Sequence, residues 1–122
     1  MKLFLDDIRE PEHVWRDTLD PDYEYNNSWV IVRTYIAFVT WISENGLPEL
    51  VSFDHDLVFE HYLEKNQKAI DYSSMEVKTG FHAAEWLIVY CNERKLTLPK
   101  TKVHSMNPEG RNNILQLFEQ AS

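Results

Sequence analysis

Three short segments of this sequence concentrate the side chains able to do chemistry. Asp6-Asp7 follows the apolar run Leu3-Phe4-Leu5, and Asp54-His55-Asp56 follows Leu50-Val51-Ser52-Phe53. His104-Ser105 closes a weaker run that begins near Thr101. Carboxylates brought together repel unless one is protonated or a cation bridges them. Hard oxygen donors in such a group suit Mg²⁺ or Mn²⁺. A metal site is therefore expected if folding joins the acidic segments; taken singly, each acidic pair reads equally as a solvated turn or a helix cap.

The elements that would position these residues are visible in the hydrophobic pattern. Leu3–Leu5, Trp29–Val32 and Leu50–Phe53 read as buried parallel strands, and about Thr101–His104 as a weaker fourth. Between them, residues 12–19 can form a first helix. Thr34 can cap a second that carries Ile36, Val39 and Ile42 on one side and ends before Gly46. Thr79 can cap a third, from about Gly80 to Lys95, with Phe81, Ala84, Leu87, Ile88 and Cys91 turned to the sheet. Asn107 and Pro108 suit the start of a last helix carrying Ile114, Leu117 and Phe118. Alternating strands and helices imply an α/β three-layer sandwich, a short, mostly parallel sheet of about four strands with helices on both faces. In such sheets ligands bind beyond the carboxyl ends of the strands. All three chemistry-bearing segments fall there.

Two segments stand outside the pattern. Asp20–Ser28 reads as a polar loop, and 58–78 is a long connection after the acidic third strand, serving as a lid or as a structural insert. The 122 residues fit one domain, and 43% hydrophobic residues with four Trp supply a core. A formal charge of −8 argues against a general coater of duplex DNA. The charge is uneven, however: residues 94–111 hold five bases and one acid, which leaves room for a local phosphate site. No apolar stretch approaches the roughly 20 residues of a membrane span. Cys91, the single cysteine, reads as a buried thiol in a reducing compartment, so a cytoplasmic location is expected.

Individual residues leave choices open. Strand alternation would send Asp54 and Asp56 to one side and His55 to the other, so His55 either supports the loop or takes part in chemistry. Ser105 can cap, or can contact a ligand with His104. Arg111, in the first turn of the last helix, opposes the helix dipole and is either solvated or turned to an anion. Arg9 pairs Asp7 or binds phosphate.

These motifs resemble the receiver-domain superfamily, and most closely its divergent cyclic-phosphate-processing branch. The resemblance rests on Met1-Lys2-Leu3-Phe4-Leu5-Asp6-Asp7-Ile8-Arg9, Ser52-Phe53-Asp54-His55-Asp56-Leu57, Thr79-Gly80 and His104-Ser105-Met106-Asn107-Pro108-Glu109-Gly110-Arg111. It implies a receiver-like, flavodoxin-like fold and the processing of cyclic phosphate esters of nucleotides or RNA ends. It also implies a cation on the Asp7 and Asp54 side chains and the Asp56 backbone carbonyl, with Asp6 helping through water. Ser105 would lie near phosphoryl oxygens, with Arg9, Thr79, Asn107 and Arg111 as further substrate contacts. No fifth strand bearing the receiver lysine is evident, so phosphorelay signalling is disfavoured; Lys78, Arg9 or Arg111 would have to supply that charge.

The leading expectation is a metal-dependent phosphoesterase that opens a cyclic phosphate. His104 would act as acid or base, Asp56 or His55 would aim water, and Arg9 or Arg111 would stabilise phosphoryl charge. In a covalent variant Asp54 attacks phosphorus. The alternative is a non-catalytic module that binds a cyclic nucleotide or a protein partner, with Trp15, Tyr23, Tyr25 and Tyr62 as a stacking surface.

Overall fold

The computed structural model describes residues 1–57 and 78–121. The expected lid or insert at 58–78 therefore lies outside the described residues except for Lys78, as does Tyr62. The strands are β1 (Lys2–Leu5), β2 (Trp29–Val32), β3 (Leu50–Phe53) and β4 (Lys100–Val103), and the helices α1 (Pro11–Thr18), α2 (Tyr35–Asn45), α3 (Gly80–Arg94) and α4 (Pro108–Ala121). All pairings are parallel, in the order β2-β1-β3-β4.

Register does most of the work of building a site. Leu5 lies opposite Val32 and Phe53, and Phe53 opposite Val103, so β1, β3 and β4 end level with one another. The ladder then runs one residue further: Asp6 N donates to Val32 O at 3.1 Å, Asp54 N to Leu5 O at 2.9 Å and His104 N to Phe53 O at 3.0 Å. Asp6, Asp54 and His104 thus leave the sheet side by side with their backbones already paired.

Alternation along the strands makes two cores. Leu3, Leu5, Val51 and Phe53 pack with Phe38 and Ile42 of α2, Ala83, Ala84, Leu87 and Cys91 of α3, and Ile114 of α4. Phe4 and Leu50 point to the opposite face, where Val14 of α1, Tyr23 and Trp29 cover them. These are the three layers expected of the α/β sandwich. Cys91 is buried as expected.

Some details differ from the sequence reading. In α2 the buried face is set by Phe38 and Ile42, while Ile36 is 69% exposed. Apolar residues run nearly around this helix, so spacing alone does not choose among them. In α3, Ala83 is buried and Ile88 only partly so. The segment expected as a polar loop contains two 3-10 turns, Pro21–Tyr23 and Asn26–Ser28. It also delivers Tyr23 into the core at 3% exposure, so Tyr23 offers no outward stacking surface; Tyr25 is exposed and Trp15 half-buried.

Two helices begin hard against the third strand's end. Gly80 N donates to His55 O at 2.9 Å, and a Cβ at Gly80 would fall 1.7 Å from Asp54 O. At Gly110, a Cβ would fall 2.3 Å from the His55 ring. Because the obstacle at Gly80 is backbone, Gly80→Ala is expected to destabilise the fold by ~2 kcal/mol or more, since overpacking without room to relax costs about 1–3 kcal/mol. Urea unfolding reads this directly, and an unchanged midpoint would show that α3 starts elsewhere.

Candidate active site

The site grows from the Asp6 carboxylate, which collects four N–H donors. Its Oδ1 accepts from Ile8 N at 2.9 Å and Arg9 N at 2.8 Å, and its Oδ2 from Arg9 Nε at 3.2 Å and His104 Nε2 at 3.0 Å. Burial would raise its pKa, but the His104 bond and the two backbone amides outweigh that and hold it down at about 2. Asp6 is therefore an anion at neutral pH.

Asp54 is in the opposite condition. It is 5% exposed, and its Oδ1 accepts from His55 N at 2.9 Å. Burial first, and then the charge on Asp6, push its pKa up to about 8, against the partial relief given by Arg9. Without a cation this carboxyl keeps its proton at neutral pH.

His104 completes the cluster. Its ring stacks on Phe4, with centroids 4.3 Å apart and planes 7° from parallel. Nε2 faces Asp6, and Nδ1 lies 2.6 Å from Ser52 Oγ. Burial lowers its pKa more than Asp6 restores it, so the imidazole is neutral. One potential ligand atom from each of Asp6, Asp54 and His104 lies within 4.8 Å of the others. Two carboxyl groups of which only one can ionise, both hard donors, fit a divalent cation that would take the place of the Asp54 proton.

The remaining expected site residues fall at varying distances from this trio. Asp7 is half-buried and not one of the three; the carboxylate that meets Asp54 and His104 is Asp6. Arg9 pairs with Asp6 rather than Asp7, and its Nη2 donates to His104 O at 2.6 Å, tying the β1 loop to the end of β4. Asp56 is buried, with Oδ1 hydrogen-bonded to His55 Nδ1 at 2.8 Å and to Asn107 Nδ2 at 3.1 Å. His55 is fully buried beneath Gly110. These two side chains are used in holding the loop to α4. Asn107 caps α4, its Oδ1 accepting from Gly110 N at 3.1 Å, and Ser105 Oγ accepts from Asn107 N at 3.1 Å. Thr79 caps α3, with Oγ1 accepting from Phe81 N at 3.1 Å. The hydroxyls and amide expected to touch substrate are thus engaged in helix starts. Arg111 is exposed and borders a groove with His104, Lys102 and Tyr23.

Sequence reasoning missed Arg33 and Ser52 as parts of the site's surroundings and read Tyr23 as part of an outward stacking surface, whereas its hydroxyl reaches Ser52. Arg33 Nη1 donates to Arg9 O at 2.6 Å and Asp6 O at 3.2 Å, fastening the turn that shapes Asp6. Its signal was available, a cation directly after β2 at the same sheet edge. Ser52 stands in the sequence as a hydroxyl inside an apolar run and as the first residue of the Ser52–Leu57 motif, neither of which points to His104.

Comparison with known families matches residues 1–120 to the cyclic-phosphate processing receiver domain. The chain belongs to that family, and the four-stranded parallel sheet is its receiver-like fold. No curated protein and no solved structure matches the chain. Among the described residues no helix is long and apolar enough to cross a membrane.

The two carboxyl groups impose opposite pH dependences on the cation-free chain. Asp54, raised from 3.8 to about 8, contributes stability that is complete below pH 4 and is lost as pH rises through 8. Asp6, lowered to about 2, contributes stability above pH 4 that is lost as pH falls through 2. Asp54→Asn removes only the first dependence. In chelator-treated protein the variant should gain progressively on wild type as pH rises from about 5 to about 8.5, because only wild type then has a buried carboxyl to ionise. Urea midpoints that stay parallel across that range would contradict the raised Asp54 value.

Proposed function

We propose that this receiver-like chain is a metal-dependent phosphoesterase that hydrolyses a cyclic phosphate ester of a nucleotide or an RNA end. The observation that carries the reading is the meeting of Asp6, Asp54 and His104 within 4.8 Å at the carboxyl edge of the sheet. Membership of a family described as cyclic-phosphate processing supports cyclic phosphates as the substrate class. Asp54 is the residue that would hold Mg²⁺ or Mn²⁺ directly, with Asp6, whose acceptor sites the four N–H groups occupy, helping through its charge and through water. The chemistry a bound cation contributes is polarisation of a phosphoryl oxygen and a lower pKa for water.

The chain's own residues supply the rest. Ring opening consumes one water, breaks one P–O bond and leaves one free hydroxyl, so an oxygen must lose a proton and another must gain one. His104 is the imidazole within reach, held by Phe4, Asp6 and Ser52 in a single orientation. The Arg9 guanidinium acts electrostatically on both Asp54 and His104. This supports its use as the positive charge that faces the phosphoryl group, the part played by lysine in ordinary receivers. His55 and Asp56 act from behind, by fixing the loop that carries Asp54.

Incubation of the purified chain with nucleoside 2′,3′-cyclic phosphates and Mg²⁺ or Mn²⁺ should give one ring-opened monophosphate. Chelation should stop the reaction. Asp54→Asn should slow it by at least ~10²-fold while leaving the fold intact, and should abolish the rise in melting temperature on adding Mn²⁺. Binding of the cyclic nucleotide without product would instead identify a non-catalytic module.

A further inference from the structure

A line of short hydrogen bonds leaves His104 on the side away from the carboxylates. Nδ1 lies 2.6 Å from Ser52 Oγ, and Ser52 Oγ lies 2.6 Å from the Tyr23 hydroxyl. Ser52 is fully buried on β3, and Tyr23 is fixed by stacking on Trp29, centroids 5.4 Å apart and planes 3° from parallel. A buried hydroxyl on a strand is expensive unless a partner needs it. Here the partner is one nitrogen of an imidazole.

The direction of the line follows from its far end. Asp6 Oδ2 already accepts from Arg9 Nε, and the carboxylate as a whole faces four N–H groups, so it can only accept from Nε2. Were Nδ1 to donate as well, Ser52 Oγ would have to accept from it, and either the Ser52 or the Tyr23 proton would have no acceptor along the line; with Nδ1 accepting, both protons are placed. Ser52 O–H is then the donor to Nδ1, and its remaining lone pair takes the Tyr23 O–H. Each group has one donor role left and one neighbour to receive it.

We propose that Ser52 and Tyr23 are positioning residues for His104, a one-way chain of donors that keeps the imidazole proton on Nε2 and aimed at Asp6, so that the ring holds the Asp6 carboxylate in place beside the phosphoryl group. The last clause rests on the phosphoesterase reading; the tautomer itself does not. Neither hydroxyl bonds to Asp6 or Asp54, and both act through the ring. Truncating such an outer partner typically lowers activity about 10–100-fold.

The test separates the two claims. Long-range ¹H–¹⁵N NMR of the histidine-labelled full chain, without cation or substrate, should find the His104 proton on Nε2 and a hydrogen-bonded Nδ1. Ser52→Ala should move the Nδ1 resonance toward that of an unbonded acceptor, Tyr23→Phe should move it the same way by less, and Ser52→Thr should restore it. Should Ser52→Ala fail to fold, Tyr23→Phe carries the same reading because only a hydroxyl is lost. In ring-opening assays both truncations should cut kcat roughly tenfold or more, with KM changed less than about twofold. A wild-type proton on Nδ1, an Nδ1 resonance indifferent to both truncations, or truncated variants with full kcat would overturn the proposal. A chain that shows the expected tautomer and shifts but opens no cyclic phosphate would overturn the phosphoesterase reading while upholding the donor chain.

Discussion

Two carboxyl groups set into one buried sheet edge cannot both carry charge unless something positive joins them. Asp6 has secured the anionic state by recruiting Arg9, His104 and two backbone amides. Asp54 has one backbone amide and burial on its other sides, so it is the member that yields. On the proposed reading this asymmetry matters because a divalent cation entering the site would displace one proton from Asp54 and face an Asp6 carboxylate that is already ionised. Arg9 and Arg33 then have a common purpose. They hold the Asp6 turn in place through backbone carbonyls as well as through charge, which a mobile lysine would do less well.

Much of this was legible in the sequence because two periodicities coincide with it. Apolar runs ending in acids located β1 and β3 and the edge of the sheet at which their acids gather. Cap residues located the starts of α3 and α4. The meeting of Asp6 with His104 was not legible, because it depends on a local turn: Asp6 accepts from the amides of Ile8 and Arg9, which turns its carboxylate inward toward His104. Arg9 followed Asp6 for the same reason. The faces of α2 were blurred by its excess of apolar residues, and the burial of Tyr23 depended on a 3-10 turn that composition presents as a polar loop. Long-range side-chain pairs, such as Ser52 with His104 or Asn107 with Asp56, leave no periodic trace at all.

The family assignment and the four-stranded sheet bear on each other. Receivers place a lysine at the end of a fifth strand. Here β4 is the outermost strand among the described residues, and His104 occupies its carboxyl end. An imidazole at that place changes what the site can do. Lysine offers a fixed positive charge, whereas a neutral imidazole offers a directed N–H on one nitrogen and a lone pair on the other. On the proposed reading, positive charge would come instead from Arg9, on the β1 loop. Charge and directed hydrogen bonding, joined in one residue in the receiver pattern, are here divided between two elements.

That division requires the two elements to stay in register, and the residues behind the site supply the means. His55 lies under the first turn of α4, with Gly110 providing the space, while Asp56 and Asn107 bond across the same junction. Gly80 brings α3 onto the Asp54 backbone with no room for a side chain. The segment that carries Asp54 is therefore fixed by two helix starts and by the ladder to β1 and β4. Such a loop cannot move away to relieve repulsion between Asp54 and Asp6, so relief must come by protonation or by a cation. A looser loop would have let the two carboxyl groups part and both ionise in water.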